Sequence, residues 1–314
     1  MRNGKKLAFV AALVSLTAVT AVAQATNYSA WSSAQKIDEI GGNSSELNTP
    51  FQDGCPIQSP DGLRLYIATT RPRFAGDTRT DLDIWVAKRA SVGAPWGAPV
   101  NLGEPVNSTA DDFCPTPVRG KGLFFVSRRT TANSCGLGDI YFSRRNSAGE
   151  WRQPRHFACA PAGPNSALDE QGPSYVEASG SFLYFSRSSG AVPGDIYVSE
   201  RLEDGSFGPA SAVAELNSAG NDVQPNVRKD GLEVVFSSNR LGSLGNTQDI
   251  WVSTRASVGD TWAVPVNLGT AVNTAEAAES RPSLSWDAQT LVFGRTPGPE
   301  GIGDIYVSTR TARP

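Results

Sequence analysis

The sequence predicts an all-β fold, a five-bladed β-propeller in which each blade has four antiparallel strands. The first observation is a fivefold repeat of Asp-Ile followed by Trp or Tyr, with gaps of 56, 56, 54 and 55 residues. The five copies begin at Asp83, Asp139, Asp195, Asp249 and Asp304. A period this regular indicates one supersecondary unit copied five times. The second observation is composition: 31 Gly and 21 Pro are typical of short strands separated by turns.

The second repeat shows the four strands of one unit most clearly. A strand over Trp96–Leu102 is followed by a long loop and a short strand over 115–118. A tight turn then leads to an apolar strand over 123–127, and another loop leads to an alternating strand over 139–143. Four short strands joined by turns are typical of one propeller blade.

The two ends of the chain predict how the ring closes. The last repeat ends with the strand over 304–310 and lacks the Trp-containing fourth strand of the other repeats. Residues 31–37 match that fourth strand, so we expect them to complete the fifth blade as its outer strand. Closure removes an open sheet edge, which would otherwise pair with other chains. We therefore predict a single propeller domain over residues 27–314.

Residues 1–25 are typical of a secretory signal peptide. Arg2, Lys5 and Lys6 precede an apolar run over 7–22, and small residues suited to cleavage follow it. The alternative is a transmembrane anchor, but the apolar run is short and ends at a cleavage-like sequence. We therefore expect an exported protein, periplasmic or secreted, with no membrane span after removal of the signal.

Charge and composition narrow the classes of partner and of chemistry. Removal of the three cations of the signal changes the formal net charge from −3 to −6. A mildly acidic chain without a basic stretch indicates no nucleic-acid partner, and we expect a monomer. The one His, His156, excludes a histidine-based metal site by number and has no evident acid partner in the sequence. A catalytic triad is not expected, because Gly-x-Ser-x-Gly is also absent.

Four Cys in an exported chain predict two disulfides. Cys55 and Cys114 occupy identical places in adjacent repeats, each directly before Pro. Cys135 lies in a loop of the second unit, and Cys159 lies in the connection to the third. Four Cys allow three pairings, of which we predict Cys55 with Cys114 and Cys135 with Cys159. All four are expected on the face of the propeller that carries the long loops.

A second repeated pattern precedes the first strand of each unit. It consists of Asn, Ser or Thr, a carboxylate, two further residues and Pro. The five carboxylates are Asp53, Asp112, Glu170, Asp222 and Glu279. Because binding sites usually lie on loops that a rigid scaffold holds, we expect these acids to approach the mouth of the central channel. On the same face, an Arg follows the second strand of each unit: Arg71, Arg128, Arg187, Arg240 and Arg295.

Two interpretations of these ten residues remain open. As a ligand-binding set, they could bind a cation such as calcium or a polyhydroxylated ligand, or supply an acid and base for glycoside cleavage. As a structural set, each carboxylate would pair with an Arg of its own or the next blade. We favour the structural interpretation, because a feature present in every blade is typical of the scaffold, and we predict no cofactor and no metal. The ten residues remain the candidate ligand-binding residues.

Two other features have both a structural and a functional interpretation. The Asp of each Asp-Ile-aromatic motif is expected to accept backbone N–H groups of the adjoining loop, although it could also be a ligand. The first unit also contains an insertion over 71–81 with Arg73, Phe74 and Arg79. An aromatic side chain among cations could contact an acidic or carbohydrate ligand, but we favour a solvated loop.

The repeat resembles a known family. Pro56 to Tyr66 reads Pro-x-x-Ser-Pro-Asp-Gly-x-x-Leu-Tyr, and later strands carry Ser-x-Arg and Asp-Ile-Tyr-Val-Ser. This pattern is similar to the TolB-like, WD40-like β-propeller repeat of exported bacterial proteins and covers essentially the whole chain after the signal. The resemblance implies a propeller. It implies no single role, because such repeats serve as binding platforms, as parts of envelope complexes and as accessory domains of enzymes.

The sequence thus favours a non-catalytic exported propeller that binds a protein, peptide or glycan at the loop-rich channel mouth. The absence of a catalytic constellation supports this prediction. The alternative is a carbohydrate-active enzyme, a glycoside hydrolase or a lyase, that uses two carboxylates such as Asp112 and Glu170.

Overall fold

Five four-stranded antiparallel sheets form a ring in the computed structural model, which describes residues 28–177, 181–299 and 302–313. The predicted five-bladed propeller is therefore confirmed. The predicted signal peptide lies outside the described residues. Within them, the helical segments are four short 3₁₀ helices: Ile37–Glu39, Ser45–Leu47, Arg119–Lys121 and Leu244–Asn246.

The strands follow the order predicted from the repeat, with the first strand of the chain joining the last blade. The outer strand β1 (Gln35–Lys36) comes first. Blade 1 contains β2 (Asp53–Gln58), β3 (Arg64–Thr69), β4 (Asp83–Lys88) and β5 (Val100–Asn101). Blade 2 contains β6 (Asp112–Val118), β7 (Gly122–Ser127), β8 (Asp139–Arg144) and β9 (Arg155–His156). Blade 3 contains β10 (Asp169–Val176), β11 (Phe182–Ser189), β12 (Val192–Glu200) and β13 (Ser211–Ala212). Blade 4 contains β14 (Asp222–Val227), β15 (Glu233–Ser238), β16 (Asp249–Thr254) and β17 (Val266–Asn267). Blade 5 contains β18 (Ala278–Leu284), β19 (Thr290–Thr296) and β20 (Asp304–Thr309), and β1 completes it.

The N-terminal strand closes the ring, as predicted, but it is shorter than the predicted 31–37. β1 pairs with β20 through Gln35 opposite Val307 and Lys36 opposite Tyr306. The outer strand cannot extend beyond Lys36, because the chain turns there into a 3₁₀ helix. Before the strand, Trp31 packs against the apolar side chains between blades 4 and 5.

The core consists of five apolar layers, one between each pair of neighbouring blades. The second strand of each blade supplies a fully buried residue to these layers: Ile67, Phe125, Phe185, Phe236 and Phe293. This burial explains why the second strands contain consecutive apolar residues, since a neighbouring blade covers each face of the sheet.

The repeated Asn fastens each blade to the one before it. In all five cases, its side-chain oxygen accepts the backbone N–H of the Ile in the preceding Asp-Ile-aromatic motif, at 2.7–2.9 Å. The amide of the same Asn donates to the carbonyl of that Ile in every case. The last of these clamps joins Asn48 to Ile305 and so crosses the closure of the ring.

Both predicted disulfides are present. Cys55–Cys114 joins the inner strands of blades 1 and 2, and it therefore lies in the channel wall rather than in the mouth loops. Cys135–Cys159 joins two connections on the loop-rich face. Two disulfides are typical of a protein that folds in an oxidising compartment outside the cytoplasm. None of the helices in the described ranges has the length and apolar composition needed to cross a bilayer.

Candidate functional site

The inner strands of all five blades carry the same β-bulge in the channel wall. In each blade, the pairing of the first and second strands shifts at the residue directly before the repeated Pro. That residue has a positive φ, between 47° and 57°, and the five positions are Cys55, Cys114, Gly172, Gln224 and Arg281. We call these five residues the channel ring. A left-handed conformation costs a non-glycine residue about 1–2 kcal/mol, so the bulge holds four side chains at the channel at some cost.

The channel between the inner strands is narrow. Its free volume is about 30 Å³, which is room for about two water molecules. The channel ring and the Pro that follow it line this space, and the Cys55–Cys114 disulfide forms one side. Gln224 and Arg281 supply the polar side chains of the ring.

The five predicted carboxylates lie behind the channel wall and are at most 2% exposed. Each forms an ion pair with an Arg of its own blade. The distances are 2.5 Å for Asp53–Arg71, 2.7 Å for Asp112–Arg129, 2.8 Å for Glu170–Arg187, 2.5 Å for Asp222–Arg240 and 2.8 Å for Glu279–Arg295. The Ser or Thr four or five residues earlier donates both its backbone N–H and its hydroxyl to the same carboxylate. The acids are thus fully hydrogen-bonded within the scaffold.

The aromatic residue of each Asp-Ile-aromatic motif supports the Arg of its blade. The guanidinium carbon lies 4.2–5.3 Å from the ring centroid of Trp85, Tyr141, Tyr197, Trp251 and Tyr306. A cation over an aromatic face is electrostatically favourable, most of all where water is excluded. The repeated motif is therefore part of the same structural unit as the repeated carboxylate.

One of the ten predicted site residues does not have the expected role. In blade 2 the Arg that pairs with Asp112 is Arg129, whereas the prediction assigned Arg128. Arg128 instead bridges Asp111 and Asp169, at 3.0 Å each, and so joins blades 2 and 3 at the channel mouth. Successive residues of an extended chain point in opposite directions, so the sequence Arg128-Arg129 did not reveal which one turns to the carboxylate.

The Asp residues of the Asp-Ile-aromatic motifs bind their own blade. Asp139 and Asp249 accept backbone N–H groups of the preceding loop, from Cys135 and Leu244, as predicted. Four of the five also have a partner on the outer strand, namely Asn101, His156, Asn267 and Lys36. The equivalent outer-strand residue in blade 3 is Ala212. Burial, with a contribution from nearby Asp222, raises the pKa of Asp195 in that blade.

His156 differs from its prediction, because the structure provides it with an acid partner. Its Nε2 lies 3.0 Å from Asp139 Oδ2, and Cys135 Sγ lies 3.8 Å away. These three side chains are close enough to hold a metal ion, but Cys135 is bonded to Cys159 and offers no thiolate. The cluster therefore has a structural role, in which His156 joins the outer strand of blade 2 to Asp139 on the third strand.

The cations of the insertion in blade 1 form ion pairs with Asp residues and do not remain free. Arg73 pairs with Asp77 at 2.8 Å, with Asp81 at 2.6 Å and also with Asp83. The hydrogen bonds from Arg73 lower the pKa of Asp77 to about 2. The charges of this loop are consequently neutralised within it, and Phe74 is the exposed large side chain at its tip.

The loop-rich face exposes one large apolar side chain from every blade. Four of these side chains lie in the connection between the second and third strands, and the fifth, Val192, begins the third strand of blade 3. All are more than half exposed: Phe74, Leu137, Val192, Leu241 and Ile302. We call these five residues the apolar rim. In blade 3 the connection is a tight hairpin, where Ser189 pairs with Val192.

Arg281 is the functional candidate that the sequence reasoning missed. Its side chain is partly exposed to the channel, and within the described ranges no acceptor binds its guanidinium. Burial lowers the pKa of Arg281 to about 10, and repulsion from Arg128 acts in the same direction. One signal was present in the sequence, since the residue before the repeated Pro changes from Cys to Gly, Gln and Arg within an otherwise constant motif.

Comparison with known proteins supports the fold. No family model and no curated protein matches the chain, so the TolB-like resemblance stays a prediction. Among solved structures, a protein of unknown function from Dyadobacter fermentans is similar with a TM-score of 0.53 and 12% identity, covering 90% of this chain and all of that one. A GH43 endo-arabinanase from Bacillus licheniformis has a TM-score of 0.51 and 13% identity over 83% of this chain and 95% of its own. An endo-arabinase from Bacteroides thetaiotaomicron has a TM-score of 0.52 and 15% identity over 82% and 93%.

Proposed function

We propose that this protein is a non-catalytic binding propeller whose loop-rich face docks a protein or peptide. The observation that carries the proposal is the apolar rim, which presents an exposed apolar side chain from each of the five blades. An exposed apolar side chain at the same place in every blade of a rigid ring is a recurrence that supports docking of another polypeptide on this face. Four of the five rim residues are aliphatic and Phe74 is the one aromatic residue among them, so the rim offers few stacking surfaces for sugars.

The arrangement of the carboxylates supports a binding role over a catalytic one. Glycoside cleavage needs a proton donor and a second carboxylate that both face the substrate. In this chain, the five repeated acids are almost fully buried and paired with Arg. The ion pairs and the Ser or Thr donors hold these acids within the scaffold, and none of them lines the channel.

Site-specific photo-crosslinking tests the docking role. A photoreactive residue at Leu241, on the apolar rim, should capture a partner in the cells that produce the protein. The same residue at Val264 serves as the matched control, because Val264 is also fully accessible but lies in a connection on the opposite face. With the captured partner purified, Leu241→Asp should weaken binding by about tenfold or more, since it places a charge in an apolar contact. Equal capture from both positions would contradict the proposal.

Glycoside hydrolysis is the second candidate, because two of the similar structures are arabinanases. The test is release of reducing ends from arabinan by the purified chain, compared with folded Asp112→Asn and Glu170→Gln variants. We expect no release from any of the three. Turnover by the wild type that both substitutions abolish, with unchanged thermal stability, would establish the enzymatic function instead.

A further inference from the structure

Arg281 places an uncompensated positive charge in the channel. Its backbone N–H donates to Gln224 Oε1 at 3.1 Å and to Ser237 Oγ at 3.0 Å, so the backbone of the bulge is satisfied. Its guanidinium differs from those of the five blade pairs, because no described residue supplies it with a carboxylate or a carbonyl. A largely buried cation without a counter-ion is unfavourable, and proteins normally pair such groups. The missing partner is therefore negative.

The chain leaves space for the guanidinium of Arg281 on the neighbouring blade 1. A Cβ atom added at Gly54 would lie 3.3 Å from Arg281 Nη1. The residues that correspond to Gly54 in the other blades are larger: Phe113, Gln171, Val223 and Ser280. Gly54 is thus the small residue at the one place where the long side chain reaches the neighbouring blade. This match indicates that the Arg281 side chain is accommodated by the fold rather than left there by chance.

The surrounding charges and the size of the channel define the missing anion. Arg128, which repels Arg281, is itself bound by Asp111 and Asp169, and these two acids do not reach Arg281. Arg281 remains a cation at neutral pH, since its pKa is about 10. The free volume of about 30 Å³ admits only a small group, such as a carboxylate head. The planar fork of a guanidinium matches a carboxylate through two parallel hydrogen bonds.

We propose that Arg281 binds the carboxylate of a peptide segment that enters the channel from the loop-rich face. The inference rests on the proposed docking function and adds the chemical group that the partner inserts. A peptide is favoured over an acidic glycan because the apolar rim suits aliphatic side chains. The carboxylate belongs either to the C-terminus of the peptide or to an Asp or Glu side chain.

The first experiment uses acetate as the probe for the carboxylate alone. In protein with ¹⁵N-labelled arginine, the Nε–H signal of Arg281 should shift saturably with sodium acetate and remain unchanged with acetamide at equal ionic strength. Arg281→Lys removes the fork but keeps the charge, and it should bind acetate more weakly than the wild type. Thermal unfolding verifies that each variant is folded. No saturable shift with acetate would overturn the inference.

The second experiment uses three aliphatic hexapeptides of matched composition, which end in a free carboxylate, end in an amide, or carry one internal Asp and an amide. We expect one of the two carboxylate peptides to bind about tenfold or more tightly than the uncharged amide, and which of the two binds identifies the source of the carboxylate. Arg281→Gln should erase this difference. Arg201→Gln, an exposed cation in a connection on the opposite face, should preserve it.

Two outcomes would overturn the inference and still leave the docking function testable. If the three peptides bind equally, the channel does not distinguish a carboxylate from an amide. If an oligogalacturonate binds through Arg281 and the peptides do not, the ligand class is wrong. In both cases, capture from Leu241 but not from Val264 would still support docking on the apolar rim. Loss of that difference, with acetate binding intact, would instead refute the docking function.

Discussion

Replacement of Asp222 by Asn tests whether the repeated carboxylates are scaffold. The Oδ1 atom of Asp222 accepts hydrogen bonds from Arg240 and Ser238, and Oδ2 accepts two from Ser218. The carboxylate is fully buried. Loss of its charge leaves the Arg240 guanidinium buried and unpaired, which costs about 3–5 kcal/mol. For a chain of this size that corresponds to a decrease in Tm of roughly 5–8 °C.

Thermal and urea unfolding at neutral pH measure this loss of stability. Two further variants serve as controls for its cause. Asp260→Asn makes the same chemical change at an exposed site whose side chain has no hydrogen bond to a described residue, so it should alter stability by about 0.5 kcal/mol or less. Arg240→Gln removes the other partner of the pair. The double variant with Asp222→Asn should lose less than the sum of the two single losses, by about 0.5–3 kcal/mol, because the residues are in direct contact.

A small effect would refute this reasoning. If Asp222→Asn loses less than about 1 kcal/mol and abolishes binding of a ligand, then the carboxylate contributes to a site rather than to the scaffold. The same result at Glu170 would extend that conclusion to a second blade.

Three further predictions concern the places where the blades differ. Ala212→Asn introduces the hydrogen-bond donor that Asn267 provides in blade 4. Burial raises the pKa of Asp195, so the ionised form of Asp195 destabilises the fold above the pH range where this carboxyl titrates. Thermal unfolding should therefore show that the variant gains about 1 kcal/mol of stability at pH 7 and nothing near pH 3. Gly54→Ala should weaken acetate binding in the NMR titration severalfold, whereas Gly41→Ala, with open space around it, should not; equal affinities would show that Arg281 does not depend on this space. Carboxylate binding should be constant from about pH 6 to 9, because Arg281 stays protonated, and should fall below about pH 4 as the ligand gains a proton. A midpoint near pH 7 would assign the binding to another group.

The fold was predictable because the same short sequence motifs recur in every repeat. The Asp-Ile-aromatic motif, the Asn before each inner strand and the Trp-like outer strand at both ends of the chain recur with a nearly constant spacing. The structure adds the reason for their recurrence, since the Asn binds the Ile of the preceding blade and the aromatic residue supports the Arg that pairs with the carboxylate. The blade number, the closure and the disulfide pairing all follow from this periodicity.

The candidate site was less predictable, because it depends on which way each side chain points and on which strands pair in the fold. The five carboxylates were expected at the channel mouth, yet they are almost fully buried, because each pairs with an Arg of its own blade. The choice between Arg128 and Arg129 depends on which side of an extended segment faces the carboxylate, and two adjacent Arg residues look alike in sequence. His156 acquires an acid partner only because β9 pairs with β8.

The sequence by itself therefore determined the architecture, because propeller blades are built from local contacts that repeat at a fixed spacing. Only the tertiary structure decided which charged side chains are paired within the scaffold and which are not. Asp222 and Arg240 lie 18 residues apart and cancel each other, whereas Arg281 in blade 5 extends to Gly54 in the neighbouring blade 1, more than 200 residues away in the chain. Whether a charge has a partner depends on distances between blades, and those distances exist only after the ring has closed.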